Sequence, residues 1–342
     1  MDISSVDVCC GLAWGDEAKG KITAQLAKTQ KYDFVCRFAG GANAGHTIYV
    51  GGTKYKTHLI PSGIFYGVTS IIGPGCVVHK RGFEEEIKYL KERGFNTNLI
   101  KISPKAHVIT DEHQEEDKIT HAQSQGSTSK GIAQCYRDKF GRTGKRVDHP
   151  EYFEFFKNYI WDEKLFGNIL CEGAQGMWLD IDHGNYPYVT SSITLPYGAC
   201  SLGFPPQKIN KIYGAVKIYD TRSGIDPEFP ENLLEDKELF SLAEQGKEFG
   251  VTTGRRRKTN WLNIDKLIKA INLTGTTDII ISKIDILETI KSFKLIHNKE
   301  TLVFENISEM KEYLTEFIKK SCPLIINIYY SDNPEYVEGL IY

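Results

Sequence analysis

The chain has 342 residues, a formal net charge of −2, and is 41% hydrophobic and 25% charged. That length suits one large α/β domain or two domains. A near-neutral chain has no global field to draw it to nucleic acid or to an anionic membrane, so any polyanion site must be a local cluster of Lys and Arg. In chain order, Val6 to Trp14 is apolar and β-branched and predicts a buried strand. Gly15 to Lys21 follows as a turn, and Ile22 to Lys28 has the apolar spacing of a helix. Strand, glycine-containing turn and helix open a parallel α/β unit. Tyr32 to Phe38 reads as a second strand, and Ile71 to Val78 as a third. Phe83 to Arg93 predicts an amphipathic helix that stops at Gly94. Leu99–Ile102 and Ala106–Ile109 are short strand candidates, and residues 114–145 a polar stretch of loops and short helices. Helices are expected over Tyr152–Leu165, Leu262–Leu273 and Met310–Lys320, and strands from Ile169 and over Ile209–Ile218 and Leu324–Tyr330. The nearly continuous Ile run from Asp278 to Ile284 predicts a central parallel strand buried on both faces. No linker divides the chain, so the expectation is a single α/β domain over 1–342, around a mostly parallel sheet, with functional loops at about 114–146 and 248–260.

The eight cysteines include no C-x-x-C pair, which favours buried reduced thiols over a metal cluster. The first residues have no secretory pattern, and no apolar run approaches the ~20 residues of a membrane span. A cytoplasmic protein is expected, with no membrane or nucleic-acid partner.

Seven segments carry possible chemistry. Gly15-Asp16-Glu17-Ala18-Lys19-Gly20-Lys21 lies where a helix N-terminus favours an anion, although Ile22 breaks the usual phosphate-loop pattern. Asn43-Ala44-Gly45-His46-Thr47 follows the second strand. If both turns share the carboxyl edge of a sheet, His46 and Asp16 make a possible acid–base pair; a structural loop histidine is the plain alternative. Gly126 to Gly131 offers hydroxyls and N–H groups, or is a flexible Ser/Gly loop. Glu172 to Gly176 leads to Asp180, Asp182 and His183, read as a solvated acidic turn in preference to a metal site. Tyr186 to Ser192 combines aromatics with three hydroxyls. Thr252 to Lys258 is the densest positive cluster, suited to carboxylate or phosphate. Lys283-Ile284-Asp285 ends the Ile run, where a carboxylate could read a guanine edge.

Taken in order, the series Trp-Gly-Asp-Glu, Asn-Ala-Gly-His-Thr, Glu-Gly-Ala-Gln-Gly, Leu-Asp-Ile-Asp-His-Gly, Tyr-Pro-Tyr-Val-Thr-Ser-Ser and Thr-Thr-Gly-Arg-Arg-Arg resembles the adenylosuccinate synthetase family from about residue 6 to residue 288. The resemblance implies a homodimeric parallel α/β ligase that joins L-aspartate to IMP through a 6-phosphoryl intermediate, with GTP as phosphoryl donor and Mg²⁺. It implies Asp16, His46 and Gln175 as catalytic residues, and Asp16 with the Gly45 carbonyl as Mg²⁺ ligands. The purine nucleotide maps onto Asn43, Ser127, Thr128, Gln175 and Thr190, with Arg142 reaching across a dimer interface. L-Aspartate maps onto Thr252, Thr253, Arg255 and Arg257. The triphosphate maps onto Gly15, Glu17, Lys19, Gly20, Lys21, Gly45, His46, Thr47, Lys283 and Asp285. Ala13, Ala18 and Lys130 depart from the family's usual Gln, Gly and Arg. The chain is also short, closer in length to archaeal members and to phage enzymes that act on dGMP, for which ATP is a possible donor. A GTP-binding regulator without catalysis is the remaining alternative.

Overall fold

The computed structural model describes residues 2–120, 126–250 and 254–341. Its centre is an eight-stranded sheet ordered Asn327–Ser331, Asp278–Ser282, Ile209–Lys217, Asp2–Gly11, Phe166–Glu172, Phe34–Arg37, Thr69–Ile72 and Ile100–Ile102. Every pairing in it is parallel. Parallel strands are covered by helices on both faces, so their residues are apolar without alternation. Val6, Val8, Cys9 and Cys10 of the first strand are fully buried accordingly, as are Ile279, Ile280 and Ile281. The expected single α/β body around a mostly parallel sheet is what the chain forms.

Several boundaries differ from the expectation for local reasons. The first strand runs from Asp2 to Gly11, and Leu12 to Trp14 turn off the sheet into the loop beyond. The predicted strand over Ile71–Val78 is two strands, Thr69–Ile72 and Val77–His79. Gly73-Pro74-Gly75 turns the chain between them, and Gly75 lies so close to Phe38 that a Cβ would fall 1.9 Å from its carbonyl oxygen. The helix expected over Tyr152–Leu165 is Pro150–Phe156 with one 3₁₀ turn after it. Leu262 belongs to the strand Lys258–Asn263, and the helix Ile264–Thr274 starts where the Asn263 side chain accepts from Lys266 N at 3.0 Å. The Ile run is flanked on both sides but lies second from the sheet edge. The helices Lys237–Gln245 and Ile284–Ile290 and the hairpin His46–Val50/Thr53–Thr57 were not legible in the pattern.

All eight cysteines are free, and seven are buried. Among the described residues no helix is long and apolar enough to cross a membrane.

The strand Tyr219–Arg222 pairs antiparallel with Lys258–Asn263. Its buried Asp220 accepts from Asn263 N at 2.9 Å. Burial pushes this carboxyl up to about 7, against the opposing pull of that N–H and of Lys266 and Lys217. The folded chain therefore holds a proton that the unfolded chain releases above 3.8, and stability is lost as pH rises from there through about 7. Asp220→Asn removes this term. Denaturant titrations are expected to show the variant gaining on the parent chain between about pH 4 and about pH 7; a difference that does not change with pH would contradict the assignment.

Candidate active site

Because the sheet is parallel, the segments that follow its strands emerge on one edge, where ligands bind in open α/β sheets. The turns after Gly11, Arg37, Glu172, Lys217, Ser282 and Ser331 all meet there, around a cavity of ≈ 750 Å³.

The turn after the first strand is the most constrained. Asp16 and Ala18 adopt left-handed backbone conformations, with φ 62° and 68°. A residue with a Cβ is disfavoured there by about 1–2 kcal/mol, so Ala18 carries strain that a glycine would avoid. Glu17 holds the turn from inside. It is fully buried, and its Oε1 accepts from Gly15 N at 2.7 Å and Ala13 N at 3.2 Å. Its Oε2 lies 2.5 Å from Lys19 Nζ. The Glu17 carboxylate is thus bound within the loop, and what residue 17 has left for a phosphate is its backbone. The helix Lys19–Lys28 then begins with no side-chain cap and no acidic residue in its first turn. Its first N–H groups are free for an anion. Lys21 reaches Ser331 Oγ and the Asn333 carbonyl, both at 2.9 Å. Burial lowers its pKa to about 8, with Asp285 and Asp332 opposing and Lys283 adding to the fall.

His46 starts the hairpin and packs on the same helix. A Cβ on Gly20 would fall 2.8 Å from His46 Cβ. His46 Nδ1 bonds to Glu172 Oε1, and Glu172 also accepts from Ser62 N and Ser62 Oγ. Burial pushes the imidazole below its ordinary value, although Glu172 pulls it back up. Burial alone would raise Glu172, but His46, Arg37 and Ser62 N–H bring it below the usual carboxylate range. The arrangement is a carboxylate accepting from Nδ1–H, which leaves Nε2 for the cavity.

The turn after Phe166–Glu172 interlocks with the first. A Cβ on Gly176 would lie 2.3 Å from the Ala13 carbonyl oxygen, and one on Gly11 2.8 Å from that of Gln175. Gln175 faces the cavity and accepts from Ser192 Oγ at 3.4 Å. Thr190 is bonded to Ser192 in turn. Asp180 corrects the reading of a solvated acidic turn. It is fully buried, accepts from Thr194 N at 2.7 Å and from Asp182 N at 3.1 Å, and organises the loop, while Asp182 and His183 are exposed. The described residues contain no group of three or more His, Cys, Asp or Glu placed to hold a metal.

The remaining walls are Ser127 and Thr128, Asn43, Gly45 and Thr47, the arginine segment, and Lys283 with Asp285. Ser127 Oγ donates to Asp117 at 2.9 Å, and the same carboxylate takes Gly131 N. Arg255 and Arg257 face the cavity, whereas Arg256 turns away onto the Phe240 ring at 3.8 Å. Arg257 Nε lies 3.0 Å from Asp16 Oδ2, and its Nη1 donates to Glu248 Oε2 at 2.6 Å. Lys283 Nζ donates to the Gly246 carbonyl at 2.6 Å. Thr252 and Thr253 lie outside the described residues. Arg142 is exposed and does not line the cavity of its own chain. Sequence reasoning gave no role to Glu172, Lys217 or Glu248. Lys217 was the most findable of them, as a lysine closing an otherwise buried parallel strand.

A parallel sheet with an uncapped helix N-terminus, a carboxylate, an imidazole and paired arginines around one cavity defines a nucleotide-using enzyme. The adenylosuccinate synthetase family model matches residues 8–165 and 156–317. The chain is 39% identical to the adenylosuccinate synthetase of Carboxydothermus hydrogenoformans over 84% of its own length and 79% of that protein's. It is 38% identical to that of Bacillus anthracis over 86% and 80%. The fully ligated Plasmodium falciparum adenylosuccinate synthetase matches with a TM-score of 0.84 and 28% identity, covering 97% of this chain and 98% of that one. A cyanophage S-2L succinoaminodeoxyadenylate synthetase bound to dGMP and dATP shares the fold, at a TM-score of 0.67 and 20% identity over 92% and 99%. The chain belongs to the adenylosuccinate synthetase family and is a ligase of that type.

The Gly20–His46 contact makes a direct test. Gly20→Ala is expected to displace the imidazole and lower turnover by at least about tenfold, a loss on the scale of acid–base or charge stabilisation at one group. The thermal midpoint should move by no more than a few degrees. Unchanged turnover would show that His46 is not held by this contact.

Proposed function

We propose that the cavity joins L-aspartate to C6 of IMP, with GTP cleaved to GDP and phosphate, giving adenylosuccinate. The observation that carries this reading is the meeting of Asp16, His46 and the uncapped helix start on one side of a cavity whose other side presents Arg255 and Arg257. Asp16 takes the N1 proton of the purine, so that O6 gains the electron density to attack the γ-phosphorus of GTP. His46 Nε2 and the helix N–H groups meet the charge on the transferring phosphoryl oxygens. The O6–phosphorus bond forms as the bond to GDP breaks. Oxygen is a poor leaving group until phosphorylated; afterwards the L-aspartate amine attacks C6 and inorganic phosphate departs. Asn43, Ser127, Thr128, Gln175 and Thr190 hold the purine nucleotide. Thr252, Thr253, Arg255 and Arg257 take the amino acid's carboxylates. Gly15, Glu17, Lys19, Gly20, Lys21, Gly45 and Thr47 hold the triphosphate.

The donor set suits Mg²⁺. A carboxylate from Asp16 and a backbone carbonyl from Gly45 are hard oxygens, and Mg²⁺ characteristically takes one or two carboxylates and completes its shell with phosphates and water. The absence of a three-residue acidic or His cluster among the described residues fits that habit. When bound, the ion would spread the charge of the transferring phosphoryl group.

GTP is favoured over ATP by Asp285, whose carboxyl is lifted by partial burial while Lys283 draws it down. A carboxylate there accepts from guanine N1 and its 2-amino group. Arg142, exposed at the end of the helix Ile132–Gly141, is free to enter the site of a second copy, which supports a homodimer. The eight unpaired thiols suit a cytoplasmic setting. A second reading, supported by the fold shared with the dGMP-bound cyanophage enzyme, is the phage-type reaction on dGMP with ATP as donor.

A substrate panel separates these. Turnover is expected with IMP, L-aspartate and GTP; turnover with dGMP and none with IMP would replace the first reading by the second. Asp16→Ala is expected to lower turnover by about 10²–10⁴-fold with folding intact. Retained activity would remove Asp16 from its role, and an inactive parent chain that still bound GTP would point to a regulator.

A further inference from the structure

Behind the arginine wall stands a carboxylate that does not itself line the cavity. Glu248 is 1% exposed. Its Oε2 accepts from Arg257 Nη1 at 2.6 Å and Lys217 Nζ at 3.1 Å. Its Oε1 accepts from the Tyr219 hydroxyl at 2.7 Å and lies 4.0 Å from Lys283 Nζ. The backbone closes the same corner, because Arg257 N donates to the Glu248 carbonyl at 2.9 Å. Lys217 is anchored a second time, on Thr221 Oγ1 at 2.6 Å. Both Lys217 and Arg257 do line the cavity, and both are largely buried.

We propose that Glu248 is the positioning residue of the amino-acid subsite, fixing Arg257 by one edge and Lys217 by its ammonium so that both face an incoming substrate carboxylate. The inference rests on the reading of L-aspartate as substrate. Two features carry it. The first is geometric. A guanidinium is a planar fork, so holding Nη1 on Glu248 fixes the direction in which its other N–H groups point. The second is charge. Three cations, Lys217, Arg257 and Lys283, surround one buried anion, and among the described residues Asp16 is the other carboxylate paired with Arg257. Lys217 and Arg257 carry their positive charge to the cavity wall, while Lys283 also has Asp285 beside it. Buried cations are costly to hold without anions beside them, and a dicarboxylate amino acid brings anions to these two. Glu248 touches none of the reacting atoms; its action is through Arg257 and Lys217.

The test uses the full chain. The KM values for L-aspartate and for IMP are measured in Glu248→Gln, which keeps the shape and removes the charge, and in Tyr219→Phe, which deletes a single donor to Glu248. Loss of a charge-assisted anchor predicts an L-aspartate KM raised by at least about tenfold in Glu248→Gln, with the KM for IMP changed less than about threefold. A smaller rise, or a parallel rise for IMP as general loosening would give, overturns the proposal. If Glu248→Gln does not fold, Tyr219→Phe decides: a selective rise of about threefold or more in the L-aspartate KM supports it, and anything less overturns it. A parent chain that turns over without L-aspartate as co-substrate would instead sink the reading of function on which the proposal stands.

Discussion

The buried carboxylate of Glu17 is the constraint on which the site depends. The turn from Gly15 to Ala18 bends through two left-handed residues that carry side chains, and such a turn persists only where its surroundings over-determine it. Glu17 supplies that by accepting Ala13 N–H and Gly15 N–H while pairing with Lys19. Holding the turn fixes three things at once. Asp16 is displayed to the cavity, the helix starting at Lys19 is aimed at it, and Gly20 is placed against His46. The Gly176 turn packs so closely against it that a Cβ there would collide with the Ala13 carbonyl.

Opposite this rigid wall, the chain assembles charge rather than shape. Consecutive arginines are sorted by the direction of their side chains: Arg255 and Arg257 toward the cavity, Arg256 onto Phe240. The cations that face inward are held by one hidden carboxylate and by backbone carbonyls. The two walls meet where Arg257 approaches Asp16. With the roles proposed above for Asp16 and Arg257, that approach places proton removal next to amine attack.

Much of this was legible in the sequence, because the parallel fold turns linear order into spatial convergence. Once Val6–Trp14 and Asp278–Ile284 read as buried strands, the segments after them had to share an edge. Asp16, His46, Gln175 and Lys283 consequently fell together in the cavity. What stayed hidden depended on burial that no local pattern encodes. Asp180 looked like a solvated acid and is a fully buried loop organiser. Glu17 looked like a ligand-facing acid, yet its carboxylate is turned inward. Glu172 and Glu248 lie far in sequence from His46 and Arg257, so only the folded chain pairs them. The hairpin from His46 was missed because its polar outer face lacks the alternation that marks a half-buried strand.

The strand order also bears on how the protein comes into being. Asp2–Gly11 leaves the ribosome long before its neighbours in the sheet, Phe166–Glu172 and Ile209–Lys217, and lies deep within that sheet. During synthesis its apolar stretch therefore has no native partner until residue 166 has been made, and both sides are covered only after residue 217. Sheets built from such distant pairings form slowly and expose unpaired edges meanwhile. The arrangement that brings Asp16 to the middle of the cavity edge also leaves its strand unpaired through most of synthesis.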